Sequence, residues 1–253
     1  MIFDLQKASL LKRISAWMLD SILLGILVVG IALLLSAVTG YDGYSAALDE
    51  AYGRYEAVYD VQFDITAGEF AALDDEMLQT YEEAYAALSA DPEAMYAYRM
   101  LLNLTLVITS ISILFSYLVL EFALPLWLGN GQTLGKKIFG IALMRVDGVR
   151  ITPFQLFVRT VLGKYTIETM IPVLILIMLW FGSIGVVGIA VLAAFGLLQL
   201  ILLAATRTNS LLHDLLSATA AVDMAGQMIF SSVEEMLEVK KKAHAEQTAR
   251  QAY

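Results

Sequence analysis

The chain has 253 residues, 59% of them hydrophobic and 16% charged, with a mean hydropathy of +0.71. Those values exclude an ordinary soluble domain and place the chain among polytopic membrane proteins. With no cysteine it has neither disulfides nor thiolate metal sites, and nothing in its acidic balance of −9 supports nucleic-acid binding.

The charges are segregated. Residues 40–99 hold 14 of the 25 acidic residues but only Arg54 and Arg99 of the 16 basic ones. The positive-inside rule puts that interval outside the membrane and both termini in the cytoplasm.

Residues 1–12 read as an interfacial lead-in with Lys7 and Lys12 at the cytoplasmic surface. A cleavable signal peptide is the rival reading, disfavoured by the length of the apolar run and by Asp20. From Lys12 to Val38 the chain is long and apolar enough to cross a hydrocarbon core of about 30 Å, and beyond Ile14 it carries the single charge Asp20. Arg13 sits at the mouth of this span. Asp20 lies about 10 Å deeper, within roughly 20° of the same helical face. A carboxylate in lipid is expensive, so that face must meet protein or water.

Residues 39–99 form an acidic, Tyr-rich insert. Leu48, Tyr52, Tyr55 and Tyr59 draw one helical stripe; Phe70, Leu73, Met77, Tyr81, Tyr85 and Leu88 draw a second. The spacing predicts a helical hairpin with the two stripes packed on each other. The segment around Phe63 fails as a calcium loop, because Phe63 stands where the turn glycine belongs. Asp91-Pro92-Glu93 is a helix start that leads into the second span, over about Leu101 to Leu126, with Glu121 in its last third and Pro125 near its end.

After the second span, Asp147-Gly148 between IALMRV and VRI predicts a short β-hairpin. Thr152-Pro153-Phe154-Gln155 is a capping box that opens an interfacial helix over 153–164, with Phe154, Phe157, Val158, Val161 and Leu162 on one side and Arg159 and Lys164 elsewhere. Tyr165 to Thr206 is twice the length of one span and must double back around Phe181-Gly182-Ser183 with Gly185 and Gly188. That gives span three over 165–181, carrying Glu168 and Pro172, and span four over 184–205. Ala190 and Ala194 offer a close-approach pair. Beyond Arg207 lies a second cytoplasmic segment with a polar helix around 229–251, where Lys240, Lys241 and Lys242 meet either anionic lipid or solvent.

The expected fold is therefore all-α: four transmembrane helices, cytoplasmic termini, a helical extracytoplasmic insert and a cytoplasmic β-hairpin. Its divisions are 1–38, 39–99, 100–128, 129–164, 165–206 and 207–253.

Three pieces resemble the RDD family of membrane proteins. They are Arg13, Ala16 and Asp20; Glu121 followed by Gly131-Gln132-Thr133-Leu134-Gly135-Lys136-Lys137, Asp147-Gly148 and Arg159; and Leu212-His213-Asp214-Leu215-Leu216 with Thr219 and Val222. The family's one arginine and two aspartates correspond to Arg13, Asp20 and Asp214. The resemblance covers residues 8–38 and 100–223, leaving the insert and the tail after 225 outside it. It implies a multi-pass bacterial cell-membrane protein associated with transport of cations or other small solutes.

By topology, Arg13, Asp20, Glu121, Arg159, Glu168, His213 and Asp214 gather in or near the cytoplasmic half of the membrane. One depth for so many charges predicts a shared polar cavity, and Arg13 should lie within contact range of Asp20, Glu121 or Asp214. The alternative is an internal lock: an Arg13–Asp20 pair, Asp214 accepting from the Gly131–Lys137 loop, and Glu168 snorkelling to the interface. Two functions follow. One is a transporter, or transport component, for a cation, a proton or another small solute, with a homo-oligomer to supply a path that four spans alone lack. The other is a non-transporting assembly module that recruits a protein partner through the insert or the tail. The expected setting is the lipid bilayer, and no metal site, cofactor or enzymatic motif is legible.

Overall fold

The computed structural model describes residues 5–180 and 182–251; the expected turn residue Phe181 and the first four residues of the lead-in lie outside them. The chain divides into two compact units, residues 1–28 with 113–253, and residues 29–112.

In the first unit, helix α1 (Leu10–Thr39) contributes residues 10–28 and α5 (Pro92–Leu128) residues 113–128. Helices α7 (Pro153–Trp180) and α8 (Gly185–Ala205) complete a set of four, each long and apolar enough to cross a membrane. Their surfaces invert the soluble pattern. Ile22, Ile26, Phe154, Leu162 and Val186 are exposed, whereas Arg159, Thr160, His213 and Asp214 are buried. Such a surface is stable only in an apolar solvent.

Two of these helices depart from α geometry. Over Leu118–Ala123 in α5 and Val158–Met170 in α7, the backbone bonds reach five residues back instead of four, as from the Leu124 N–H to the Val119 carbonyl. Wider turns change which residues share a face. In ordinary α geometry Arg159 and Glu168, nine steps apart, point about 180° from each other. In the widened α7, Arg159, Lys164 and Glu168 follow one another at steps close to one wide turn.

Thr152 caps α7 through the expected box: its hydroxyl accepts from the Gln155 N–H, and the Gln155 amide oxygen accepts from the Thr152 N–H. The helix then continues without a break through Trp180, so the interfacial helix expected over 153–164 and span three are one element. Its apolar residues Phe154, Phe157 and Leu162 are exposed, and Arg159 is buried. The turn after Trp180 uses Gly182 and Gly185, both at positive φ. Gly188 lies inside α8, where it is buried against Ile184 and Leu179. Ala190 and Ala194 are exposed, without a close helix approach among the described residues.

The expected β-hairpin is replaced by a longer-range pairing. Strand β1 (Ile141–Arg145) runs antiparallel to β2 (Thr219–Asp223), in register from Ile141 opposite Asp223 to Arg145 opposite Thr219. The Asp147-Gly148 turn does form, closed by the Gly148 N–H to the Arg145 carbonyl, but its returning arm makes one bridge to β1, Arg150 to Met144, and another to Phe230 from Val149. β1 offers an edge that β2 fills with a longer apolar match: Ile141, Leu143, Met144 and Val222 are almost fully buried. On the other edge of β2, Lys7 bridges Val222 and the Ala8 N–H reaches the Ala221 carbonyl. Residues 5–8 are thus an extended edge rather than a free interfacial lead-in. Lys12 reinforces that seam through Asp223 at 2.5 Å. The tail helix α10 (Val233–Gln251) packs Met236 and Val239 against Val149 and Phe230. Two short helices, α6 (Leu134–Ile138) and α9 (Leu212–Leu216), sit before β1 and β2.

The second unit contains the insert. Helices α2 (Tyr41–Tyr59) and α4 (Asp75–Ala90) pack together, joined through the short α3 (Ala67–Ala71). The two stripes meet through a residue of the connecting loop. Phe63 lies edge-on or tilted to Tyr52, Tyr81 and Tyr85, with centroids 5.6, 5.7 and 6.4 Å away. Beneath these rings, Ala51, Leu88 and Ala94 form a small core. Asp91 caps α5 as expected, accepting from the Ala94 and Glu93 N–H groups, which hold its carboxyl below the usual range.

Candidate functional site

Within the first unit, parts of all four spans and the loops between them line a partly open cavity of about 410 Å³. One side is a continuous face of α1, with Arg13, Trp17, Asp20 and Leu24 recurring at helical spacing. Glu121 reaches it from α5, Lys136 from α6, and Arg159, Lys164 and Glu168 from α7. His213 enters from α9, and Asp214 sits directly behind the wall with its side chain fully covered. The structure therefore gathers all seven residues expected from the sequence, arranged as two networks.

The first network centres on Asp214. Its Oδ1 takes the Arg159 guanidinium, and its Oδ2 lies 3.4 Å from Arg13 and accepts from the Leu211 N–H at 3.2 Å. Arg159 also donates to Thr219 at 2.8 Å, and Arg13 donates to the Asn209 carbonyl at 2.6 Å. With two guanidiniums on one carboxylate, the Asp214 carboxyl is held far below its usual range; burial works in the opposite direction. The expected Arg13 contact is made with Asp214. Arg13 and Asp20 share a face but not a bond, so the pairing of these two is overturned. The reason is reach: Arg13 extends toward the segment after α8, where it meets the Thr208 and Asn209 carbonyls.

The second network centres on the Thr133–Lys136 loop. Asp20 accepts from the Thr133 hydroxyl at 2.5 Å and from the Gly135 N–H at 2.8 Å. Asp20, and not Asp214, is therefore the carboxylate that receives this loop. Such an approach requires Gly135, because a methyl group there would overlap the Ala16 carbonyl oxygen. Lys136 lies 3.7 Å from Asp20 and 3.6 Å from Glu121, while its Nζ donates to Thr133 at 3.0 Å. Burial pulls its pKa down to about 8, with Glu121 and Asp20 opposing the shift. Lys164 completes the set at 2.7 Å from Glu121.

Glu168 is no snorkelling residue. It accepts from the His213 backbone N–H at 3.0 Å, and its other oxygen lies 2.6 Å from the His213 ring Nδ1. α9 passes so close to α7 that Gly163 has no room for a side chain against the His213 Cα and Cβ. Burial, then the charge of Arg159, pushes His213 below its usual range, so the ring is neutral at pH 7. Sequence reasoning missed Thr133, Lys136 and Lys164 as members. The GQTLGKK run signalled the first two; Lys164 becomes visible only with the wide turns of α7.

No metal-binding group of three or more His, Cys, Asp or Glu side chains occurs among the described residues. No curated protein and no solved structure matches the chain. The model of the RDD family matches residues 7–218, from the paired edge at Lys7 through the Asp214 network, and ends short of α10. With most of its length matched, including Arg13, Asp20 and Asp214, the chain belongs to the RDD family of membrane proteins.

Proposed function

We propose that this protein is a transport component that takes up a small solute in the charged cavity of its spans. The observation that carries the reading is the cavity itself: about 410 Å³ bordered by charged groups from three spans and the α6 loop, more than an anchor requires. In this reading the protein is a carrier and not an enzyme. It sits in the cell membrane with both termini cytoplasmic and residues 39–99 outside, and more than one copy completes the path across the bilayer. The partition of basic residues supports the orientation, with fourteen of the sixteen outside residues 40–99. The cysteine-free chain makes the orientation directly testable. Asp60→Cys and Ser183→Cys should react with an impermeant maleimide from outside intact cells, and Ala245→Cys should not; external labelling at 245 reverses the topology.

A second reading, in which the networks only lock the helices, is favoured by the ion pairs that join separate helices, Arg159 with Asp214 and Lys164 with Glu121. Asp20→Asn separates the two. Reconstituted in liposomes and assayed for sodium, rubidium, proton and amino-acid flux, a folded Asp20→Asn protein should lose the flux that wild type shows. Equal flux from both ends the assignment for Asp20, and no flux from wild type ends the transport reading.

A further inference from the structure

The charges around the cavity also constrain what it can hold. Four cations, Arg13, Lys136, Arg159 and Lys164, face four carboxylates, Asp20, Glu121, Glu168 and Asp214. With His213 neutral, the set balances. A lone cation entering such a set must take a carboxylate from its present partner and strand a buried ammonium or guanidinium. A lone anion does the reverse. Stranding one member of a buried pair is the costly event. A molecule bearing both charges replaces both halves of an opened pair and keeps the balance.

Three features show where the pairs open. Lys136 stands beyond hydrogen-bond distance of both Asp20 and Glu121, at 3.7 and 3.6 Å. Arg13 reaches Asp214 only at 3.4 Å. Arg159 borders the cavity, and its Nε, covered by protein, has no hydrogen-bond partner among the described residues. The donors Arg13 and Arg159 belong to the Asp214 network; the carboxylates Asp20 and Glu121, which Lys136 approaches only to 3.7 and 3.6 Å, belong to the other. Along α1, Arg13 and Asp20 are about 10 Å apart. The volume of about 410 Å³ matches a small organic molecule and far exceeds a bare ion.

We propose that the cavity binds a small zwitterion whose carboxylate and ammonium are several bonds apart, the carboxylate at Arg13 and Arg159 and the ammonium at Asp20 and Glu121. This rests on the same cavity as the transport reading, but binding is measured separately from flux.

The test is calorimetric titration of the purified full-length protein with 4-aminobutyrate, and with butyrate and butylammonium as its singly charged halves. The zwitterion should bind about tenfold or more tighter than either half, a difference of one decade in the binding constant. Leu203→Trp narrows the cavity from α8 without removing a charge and should weaken that binding in a folded protein. Arg159→Lys keeps the charge but removes the planar guanidinium fork, and should weaken zwitterion binding about tenfold. Binding of either half as tightly as the zwitterion overturns the proposal. So does unchanged binding in the Leu203→Trp protein, or no binding of glycine, 4-aminobutyrate and 6-aminohexanoate alike. Zwitterion binding without flux in liposomes leaves this inference standing and removes transport. Sodium or rubidium flux without zwitterion binding does the opposite.

Discussion

Gly135→Ala tests the join between α1 and the α6 loop with one methyl group. An added Cβ would overlap the Ala16 carbonyl oxygen and come within 2.9 Å of the Asp20 carboxyl carbon and Oδ1. The first obstacle is helix backbone and cannot rotate away, so the loop and α1 must separate. Separation costs the Thr133 and Gly135 hydrogen bonds to Asp20, each worth about 1.5–3 kcal/mol for a charged acceptor. Overpacking alone costs about 1–3 kcal/mol. The two penalties are alternatives in part, since a shift that relieves one incurs the other, so the net loss is about 3–5 kcal/mol. In a chain of this length that lowers the melting temperature by on the order of 10 °C. The assay is thermal unfolding in mild detergent followed by tryptophan fluorescence, with Trp17 on the cavity wall as a local reporter. Gly25→Ala is the control: it lies on α1, the helix that Gly135 packs against, and a Cβ there meets nothing within 4 Å. If Gly135→Ala melts within about 2 °C of wild type, the close approach does not hold the site together.

Asp214→Asn removes the carboxylate shared by Arg13 and Arg159 and should cost about 3–5 kcal/mol in the same melt; a loss below about 1 kcal/mol would refute its central place. Lys136 is held at about 8 in the folded protein against 10.5 when free, so the unfolded chain binds more protons between those values. Stability from this group therefore rises as pH climbs from about 8 to 10.5, and Lys136→Met should flatten the slope of melting temperature against pH in that window. Phe63→Ala removes the ring at the centre of the insert and should cost about 2 kcal/mol, read as faster proteolysis of the 40–98 segment; unchanged cleavage would show that the stripes hold without it.

The spans and the site members were legible wherever local rules decide. Length and hydropathy gave the four apolar helices, and the caps at Asp91 and Thr152 gave their starts. Arg13 and Asp20 were visible because α1 keeps an ordinary period. Lys164 was lost because α7 does not: a period of 3.6 residues places it away from Arg159, and only the wider turns restore it. The strand partner was lost for a different reason. Asp147-Gly148 is a valid turn, but pairing is decided by the best buried partner, and Thr219–Asp223 lies more than seventy residues downstream. The choice between Asp20 and Asp214 as acceptor for the α6 loop was likewise a question of tertiary reach. Gly135 marked the answer, because only a residue without Cβ lets that loop reach Asp20.

The weave of residues 5–8 with β2 bears on how the protein is made. Arg13 lies near the start of α1, and its carboxylate partner is 201 residues further along the chain. At about 5–20 residues per second, synthesis separates them by roughly 10–40 s. For that interval α1 sits in the bilayer with Arg13 unpaired and with no β2 for the Lys7 edge to join. The first helix therefore has to be sheltered by the insertion machinery, or held shallow, until the last span has emerged. The same delay makes the cavity one of the last parts of the nascent protein to close, and a chain truncated before Asp214 would present quality control with a bare arginine at the membrane surface.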